Sequence, residues 1–445
     1  MRHLTAVLAL SASLLILSAS TALAASIPRG ITAGPDGAMW FAEAGDNEIG
    51  RIAPDGAVSE FPVPAGRQPY EVTTGPDGAL WFTEPFADRI GRITTAGAVT
   101  EFVVPGAGSM PLEIVTGPDG RLWFTQGGSD QIGAITTAGV VSEFEIPGND
   151  DAPTGITSSP TKIFFTETAS GEIARMSTAG AIEFEIATPA GSEPSGIVVD
   201  SSGLLNFPFR GANGIGLLGT GGGVVLHVPL AVPGGEPTSI AVGSDGSSWF
   251  TAPGSRQIGR MGPGLTITNE FPVPFGSPFD IASAAGVGAP LWFTIPSADR
   301  IGRITTAGAI TTFALPGAPD PTGPQGPAGP AGPAGPQGPA GETRIGLVAF
   351  QAVPARPRAG KRVQVKFALT GAARVSLGVT PLSGKRRQTA QVAAKDAKAG
   401  VGTLAWNGRL GRRAAQPGPY RLTVTATAAG SSASSSIVVR LQGKR

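Results

Sequence analysis

With no cysteine in its 445 residues, the chain has no disulfide framework, no thiolate metal site and no cysteine nucleophile. Histidine occurs only twice, at His3 and His227, which removes most histidine-dependent catalysis. Charged residues reach only 15%, which excludes long helices of the Ala/Glu/Lys/Leu kind. Equally missing are a Gly-x-Ser-x-Gly elbow, His-Glu-x-x-His, a Gly-x-x-x-x-Gly-Lys phosphate loop and an Asp-x-Asp-x-Asp-Gly calcium loop. No segment after the N-terminus has the length of a transmembrane helix. In their place Gly (66) and Pro (41) fill about a quarter of the chain, and they recur at regular intervals, as turns do.

The net charge of +1 hides a division. Residues 1–343 carry 14 Lys+Arg against 31 Asp+Glu, whereas residues 344–445 carry 19 against the single Asp396. An acidic body is joined to a basic tail. The N-terminus, Met1-Arg2-His3 followed by a mostly apolar run from Leu4 to Leu17 and then Thr21-Ala22-Leu23-Ala24-Ala25, reads as a secretory signal cleaved after Ala24. The expected mature protein is secreted, either free or held at the cell surface by non-covalent contacts. Without disulfides it must rely on a large packed core.

An aromatic pair recurs at Trp40-Phe41, Trp81-Phe82, Trp123-Phe124, Phe164-Phe165, Asn206-Phe207, Trp249-Phe250 and Trp292-Phe293, spaced by 41, 42, 41, 42, 43 and 43 residues. The second unit shows the plan best: Pro69-Tyr70-Glu71-Val72, Gly75-Pro76-Asp77-Gly78, Leu80-Trp81-Phe82-Thr83-Glu84, Ile90-Gly91-Arg92-Ile93 and Glu101-Phe102. Four short β-rich runs closed by turn residues make a small antiparallel sheet, and Pro at the second and Gly at the fourth turn position suit a type I turn. Such a sheet cannot bury both faces alone, so this period is the signature of a propeller blade. The expected fold is all-β: seven four-stranded blades over residues 25–316, with the Trp-Phe pairs as inter-blade core. Unit five departs most, with Leu205-Asn206-Phe207 for Leu-Trp-Phe, Ile215-Gly216-Leu217-Leu218 for Ile-Gly-Arg-Ile, and His227 read in the place of Phe; it should be the least stable blade. No segment is left at either end to complete a sheet across the closure, so units one and seven should meet by side-chain packing.

From Gly323 to Thr343 run seven Gly-X-Y triplets, the collagen register, within a linker of residues 317–343. They read either as a stiff polyproline-II spacer of about 60 Å or as a trimerising segment, and seven triplets are short for a self-sustaining triple helix. A monomer is expected ahead of a trimer. Residues 344–445 then alternate in seven short runs, as in an Ig-like β-sandwich. Within them Gly402–Arg409 and Pro417-Gly418-Pro419-Tyr420 resemble the Ig-like domain of flagellar hook-capping proteins.

The unit Gly-Pro-Asp-Gly-x-Leu-Trp-Phe-Thr-Glu, Ile-Gly-Arg-Ile-Thr-Thr and Glu-Phe is similar to the repeat of the streptogramin B lyases, the virginiamycin B lyase family, from Ile27 to about Pro316. The resemblance implies a seven-bladed propeller and Mg2+-assisted elimination that opens an ester-linked cyclic peptide. It also implies histidines at the x of Pro-x-Gly-Ile in the final two blades, a Glu before the last of those prolines and another after Trp-Phe. Here the x position reads Arg29, Tyr70, Leu112, Thr154, Ser195, Thr238 and Phe279, the last pre-proline residue is Ser277, and Ile295 follows the last Trp-Phe-Thr. Only Glu236, before Pro237, keeps the acidic-Pro pair.

What remains for chemistry is carboxylates. Residues leading into the first strand of a blade and those after the second should line one open end of the channel, placing Arg29, Tyr70, Glu71, Glu113 and Asp280 near Glu43, Glu84 and Glu167. Such a ring suits a divalent cation or a cationic ligand. The competing reading pairs Glu43, Glu84 and Glu167 with turn N–H groups or with Arg51, Arg92 and Arg175. Tyr70, Glu71, Glu113 and Asp280 break the consensus of their position and are the better site candidates. His227, mid-strand in Val-Val-Leu-His-Val, reads as a strand residue.

The tail's basic clusters, Arg356–Arg362, Lys385-Arg386-Arg387 and Arg409–Arg413, lack interleaved aromatics. This disfavours nucleic acid and suits an anionic cell-envelope polymer or lipid, with docking onto the acidic propeller as the competing reading. The leading expectation is a secreted binding protein with an unidentified ligand at the channel mouth and no catalytic residues. Two alternatives stand beside it: a Mg2+-dependent carbon–oxygen lyase with rearranged carboxylates, and a structural protein assembled through the collagen-like segment.

Overall fold

The computed structural model describes residues 26–148, 151–262 and 264–318, and in the C-terminal part 347–353, 361–369, 372–381, 389–398, 400–410, 413–428 and 431–442. The expected signal segment, all but two residues of the 317–343 linker, and Arg356, Arg358 and Lys385–Arg387 lie outside the described residues. Among the described residues no helix is long and apolar enough to cross a membrane.

Seven four-stranded antiparallel sheets follow one another along the chain, each built from its own consecutive strands. Blade 1 comprises Pro28–Ala33, Met39–Glu43, Glu48–Ile52 and Val58–Pro62. Blades 2 to 7 span 72–103, 111–145, 153–187, 198–229, 240–272 and 281–314. Each first strand lies against the first strand of the next blade, and that of blade 7 lies against that of blade 1. The fold is a closed seven-bladed propeller with its first strands around the axis.

The core is divided into seven wedges, one at each blade junction. Successive residues of a strand face opposite ways, so the Trp of each pair enters the wedge shared with the following blade and the Phe enters the wedge behind. Trp40 meets Phe82 between blades 1 and 2, and Trp81 meets Phe124 between blades 2 and 3. The Gly of Ile-Gly-Arg-Ile lies beneath that Phe: a Cβ at Gly91 would stand 2.1 Å from the Phe82 ring. The Gly-Pro-Asp-Gly turn also holds the Trp. Asp77 accepts the Trp81 indole N–H at 3.1 Å and the Arg92 Nε–H at 2.7 Å. Burial opposes ionisation of Asp77, yet these bonds hold its carboxyl below its ordinary value. In blade 3, where Ala134 replaces the Arg, Arg121 reaches Asp119 instead at 2.7 Å.

Blade 5 has no Trp. Asn206 is buried in its place and donates to Asp200 at 3.1 Å. The lost indole leaves a cavity of about 170 Å³ between blades 5 and 6, lined by Asp200, Asn206, Ser248 and Met261 among others. Register also corrects the placement of His227. It stands opposite Gly216, where Glu60 stands opposite Gly50, so His227 occupies the Glu position and Val228 the Phe position.

Closure uses packing and a repeated clasp. Ile31, Met39, Phe41 and Ile52 of blade 1 share a wedge with Trp292 and Ile301 of blade 7. At the turn between second and third strands, Asn47, Asp88, Asp130, Asn213 and Asp299 all adopt the left-handed conformation, with φ of 48–58°. Each accepts a backbone N–H at the entry to the next blade: Asn47 from Gln68 at 3.0 Å, Asp88 from Met110 at 3.1 Å and Asp130 from Ala152 at 2.9 Å. Asn213 accepts from Gly235 at 2.7 Å, and Asp299 of blade 7 accepts from Ile27 at 3.1 Å. The last clasp joins the two ends of the propeller, beyond the side-chain packing expected from the sequence.

In the C-terminal part, a three-stranded sheet (Leu347–Val353, Val363–Leu369, Gly400–Trp406) and a four-stranded sheet (Ala390–Ala397, Ala373–Pro381, Gly418–Ala428, Ser431–Leu441) enclose one core. Val365, Phe367 and Trp406 meet Val375, Leu377, Leu422 and Val424 there, and a two-residue hairpin, Arg409–Leu410 with Arg413–Ala414, is added at the side. Each of the seven expected runs contains a strand among the described residues.

Candidate functional site

The residue after x in each Pro-x motif lies on a first strand or within two residues of its start, so the seven form a ring around the axis: Gly30, Glu71, Glu113, Gly155, Gly196, Ser239 and Asp280. Glu71, Glu113, Ser239 and Asp280 line a bowl of about 160 Å³ together with Ile31, Ile114 and Ile281. The glycines give the acids room. A Cβ on Gly30 would stand 2.4 Å from Glu71 Oε1, so the Glu71 carboxyl lies over Gly30.

Backbone N–H groups receive part of this charge. Glu71 accepts from Val72 at 3.1 Å, Glu113 from Ile156 at 2.9 Å and Asp280 from Ile31 at 2.8 Å. The Ser239 hydroxyl donates to the other Asp280 oxygen. Burial dominates all the same. It pushes Glu113 up to about 8, with Asp280 adding to the rise. Burial, then Asp280 and Glu113, hold Glu71 well above its ordinary value, and burial raises Asp280 despite its donors. The raised values favour the protonated form of each of these carboxyls.

One position towards the entry, Arg29, Tyr70 and Phe279 come together from blades 1, 2 and 7. The Arg29 guanidinium lies 5.0 Å from the Phe279 ring centre and 5.9 Å from that of Tyr70. The two rings meet edge to face at 6.1 Å. Burial and the nearby Glu71 and Glu113 push the Tyr70 phenol above its ordinary value. Glu236 is apart from this group: it is exposed, in the left-handed conformation at φ 48°, and outside the bowl lining.

Glu43, Glu84 and Glu167 do not join the bowl, which corrects the single ring expected from the sequence. They are enclosed at the ends of the second strands. Nor do they pair with Arg51, Arg92 and Arg175. In blade 2, Arg92 stands opposite Trp81, and Glu84, three residues further on, faces the other way. The arginines bind Asp36 at 2.6 Å, Asp77 at 2.7 Å and Glu183 at 2.8 Å instead. Burial, reinforced by neighbouring carboxylates, raises Glu43 to about 9 and Glu84 and Glu167 to about 8. Sequence reasoning passed over Ser239, which shares the Asp280 position, and Glu48 and Glu60, which register brings to Glu43. Aligning the seven units by strand pairing would have exposed both.

The description "Virginiamycin B lyase family" fits residues 10–227 and 184–333. This chain belongs to that family. The virginiamycin B lyase of Staphylococcus aureus is 33% identical, with 62% of this chain and 94% of that one covered at a TM-score of 0.59. A catalytically inactive variant of the same lyase, solved with quinupristin, is 32% identical over 64% of this chain and 96% of that one, again at 0.59. The virginiamycin B lyase of Bordetella parapertussis is 60% identical over 35 residues, 8% of this chain and 12% of the relative. The match thus spans about an eighth of that curated relative's length.

Family membership makes Mg2+ worth testing against the residues present. At the positions the resemblance assigns to histidine, the Thr238 hydroxyl donates to the Phe279 carbonyl at 3.2 Å and the Phe279 ring packs on Arg29. Ile295, where the second acid is expected, is fully buried in an apolar wedge. A phenyl ring and an alkyl chain are not ligands for a hard cation, and these residues do not fit the metal.

Proposed function

We propose that this chain is an exported binding protein on the lyase-family propeller, with the axial bowl as its ligand site and without the family's elimination chemistry. The supporting observation is the entry ring, where Arg29, Tyr70 and Phe279 pack together and no blade offers an imidazole. Elimination needs a proton acceptor with a pKa near the working pH. The hydroxyl of Thr238 and the phenyl ring of Phe279, which stand at the family's histidine positions, do not serve. A narrow, acid-lined bowl under an aromatic rim is complementary to an ammonium or amide group of a ligand.

Export rests on the N-terminal signal pattern. We read the C-terminal sandwich as Ig-like. Its Tyr420 hydroxyl donates to the Gln416 carbonyl at 2.9 Å and its ring lies 5.5 Å from Trp406, the features of a tyrosine corner beside a core Trp. Its basic residues, such as the exposed Lys361, Arg362 and Arg409, would serve to hold an anionic envelope polymer or lipid, with the Gly-X-Y segment as spacer.

The test is quinupristin incubated with the full chain and Mg2+, followed by mass-resolved chromatography. Loss of a general base costs about 10²- to 10⁴-fold, so ring opening should stay at background. Turnover that disappears in Glu236→Gln or Asp280→Asn would overturn the proposal in favour of a lyase with rearranged carboxylates.

A further inference from the structure

Blade 1 buries a carboxylate that no cation among the described residues neutralises. Glu43 is fully enclosed and neither of its oxygens has a hydrogen bond. The Ser26 hydroxyl, close enough to moderate its charge, donates to Asp46 at 3.0 Å. Glu48 stands directly across the hairpin from Glu43, and Glu60 stands opposite Gly50 on the fourth strand. All three carboxylates share one face, and one oxygen from each lies within 4.8 Å of the others. A Cβ on Gly50 would stand 2.3 Å from Glu43 Oε1, so this glycine keeps space open for the carboxyl. Among the described residues no Lys or Arg pairs with any of the three.

Blade 2 shows the same place in a balanced form. There Glu84 takes the position of Glu43 and Glu101 that of Glu60, but Arg89 replaces Glu48 and Arg67 replaces Ser26. Arg67 lies 3.0 Å from Glu101 and 4.0 Å from Glu84, and Arg89 lies 3.9 Å from Glu101. Where blade 2 sets two guanidinium groups against two carboxylates, blade 1 gathers three carboxylates and no cation.

We propose that Glu43, Glu48 and Glu60 bind one calcium-like divalent cation in blade 1. Donors that are all oxygen suit a hard cation. Ca2+ accepts six to eight oxygens in a flexible shell that carboxylates from two hairpin positions and a neighbouring strand can supply, whereas Mg2+ demands a near-ideal octahedron. Glu48 and Glu60 are half-exposed, which gives the ion a way in and leaves room for waters to complete its shell. The site lies on a different blade from the positions the family resemblance gives to Mg2+, and it stands or falls independently of the lyase question. With no ion, the remaining relief is a proton, consistent with burial and neighbouring acids pushing Glu43 up to about 9.

The two occupants, ion and proton, predict opposite outcomes for the full chain. Calorimetric titration and thermal melts in EDTA and in 0–10 mM CaCl2 would compare the native chain with the Glu48→Gln/Glu60→Gln double variant. Half-saturation is expected at about 0.1–1 mM, the range of extracellular calcium modules. The variant should bind one equivalent of calcium fewer. In EDTA it should melt no lower than the native chain, because mutual repulsion is gone, while in calcium the native chain should melt higher. A second variant copies blade 2: Ser26→Arg with Glu48→Arg should raise the melting temperature in EDTA and abolish the same equivalent. Equal calcium uptake by native chain and variants, no uptake at 10 mM, or a Gln variant that melts lower even in EDTA overturns the proposal; the last result identifies a proton-sharing cluster.

Discussion

Replacing Asp299 should loosen the propeller at the one junction that no peptide segment spans. Asp299 accepts the Ile27 N–H at 3.1 Å, is nearly enclosed, and holds a left-handed φ of 48°. A hydrogen bond to a charged group contributes about 1.5–3 kcal/mol, and a non-glycine residue without a compensating side chain costs about 1 kcal/mol or more in that conformation. Asp299→Ala loses both, so about 3 kcal/mol is expected, a fall in Tm of about 6 °C for a unit of this size. Asp299→Asn keeps the acceptor and tolerates the backbone, as Asn47 and Asn213 do at their own junctions, and should cost under about 1 kcal/mol. Asp299→Gly restores the backbone alone and should fall between the two. Calorimetry of the full chain gives the ranking, and hydrogen exchange locates it: amides over 27–33 and 299–304 should lose protection together. Asp88→Ala removes the equivalent clasp between blades 2 and 3, where the chain itself holds the neighbours, so its effect on exchange should stay near 108–110. If Asp299→Ala melts with Asp299→Asn, or leaves exchange over 27–33 unchanged, the closure depends on packing alone and this reasoning fails.

Two further outcomes are expected. Asp77→Ala leaves the buried Trp81 indole N–H and the Arg92 guanidinium without their acceptor, which should cost about 2–3 kcal/mol in urea unfolding; a cost below about 0.5 kcal/mol would show that the turn carboxylate does not support the Trp. Glu113, raised from its ordinary value to about 8, holds a proton in the folded chain that the unfolded chain releases. Its contribution to stability is therefore fully present below about pH 4.5, declines as the pH rises, and is lost above about pH 8. Urea midpoints at pH 5, 7 and 9 should fall in that order more steeply for the native chain than for Glu113→Gln, and equal slopes would refute the assignment.

The period of 41–43 residues and the alternation of Trp with Phe by themselves determined the blade count and the inter-blade core. Both are local properties: a two-residue alternation assigns each ring to a face, and a sheet with two apolar faces must be covered on both sides. The departures of Glu71, Glu113 and Asp280 from Gly were equally legible, because repetition supplies its own reference. The blade plan also set Glu71, Glu113 and Asp280 at one channel mouth, but it wrongly added Glu43, Glu84 and Glu167, and how closely the acids pack was not legible. Glu71 and Asp280 are separated by more than two hundred residues and meet only because the ring closes, and the charge they keep depends on how much water that closure leaves. The pairing of Glu43 with Arg51 failed for a related reason. Distance along the chain suggested contact, whereas strand register places Arg51 behind Trp40 and brings Glu48 and Glu60 to Glu43 instead. Local pattern thus settled the elements and their faces, while register and closure, which depend on every blade at once, decided which charges must live together.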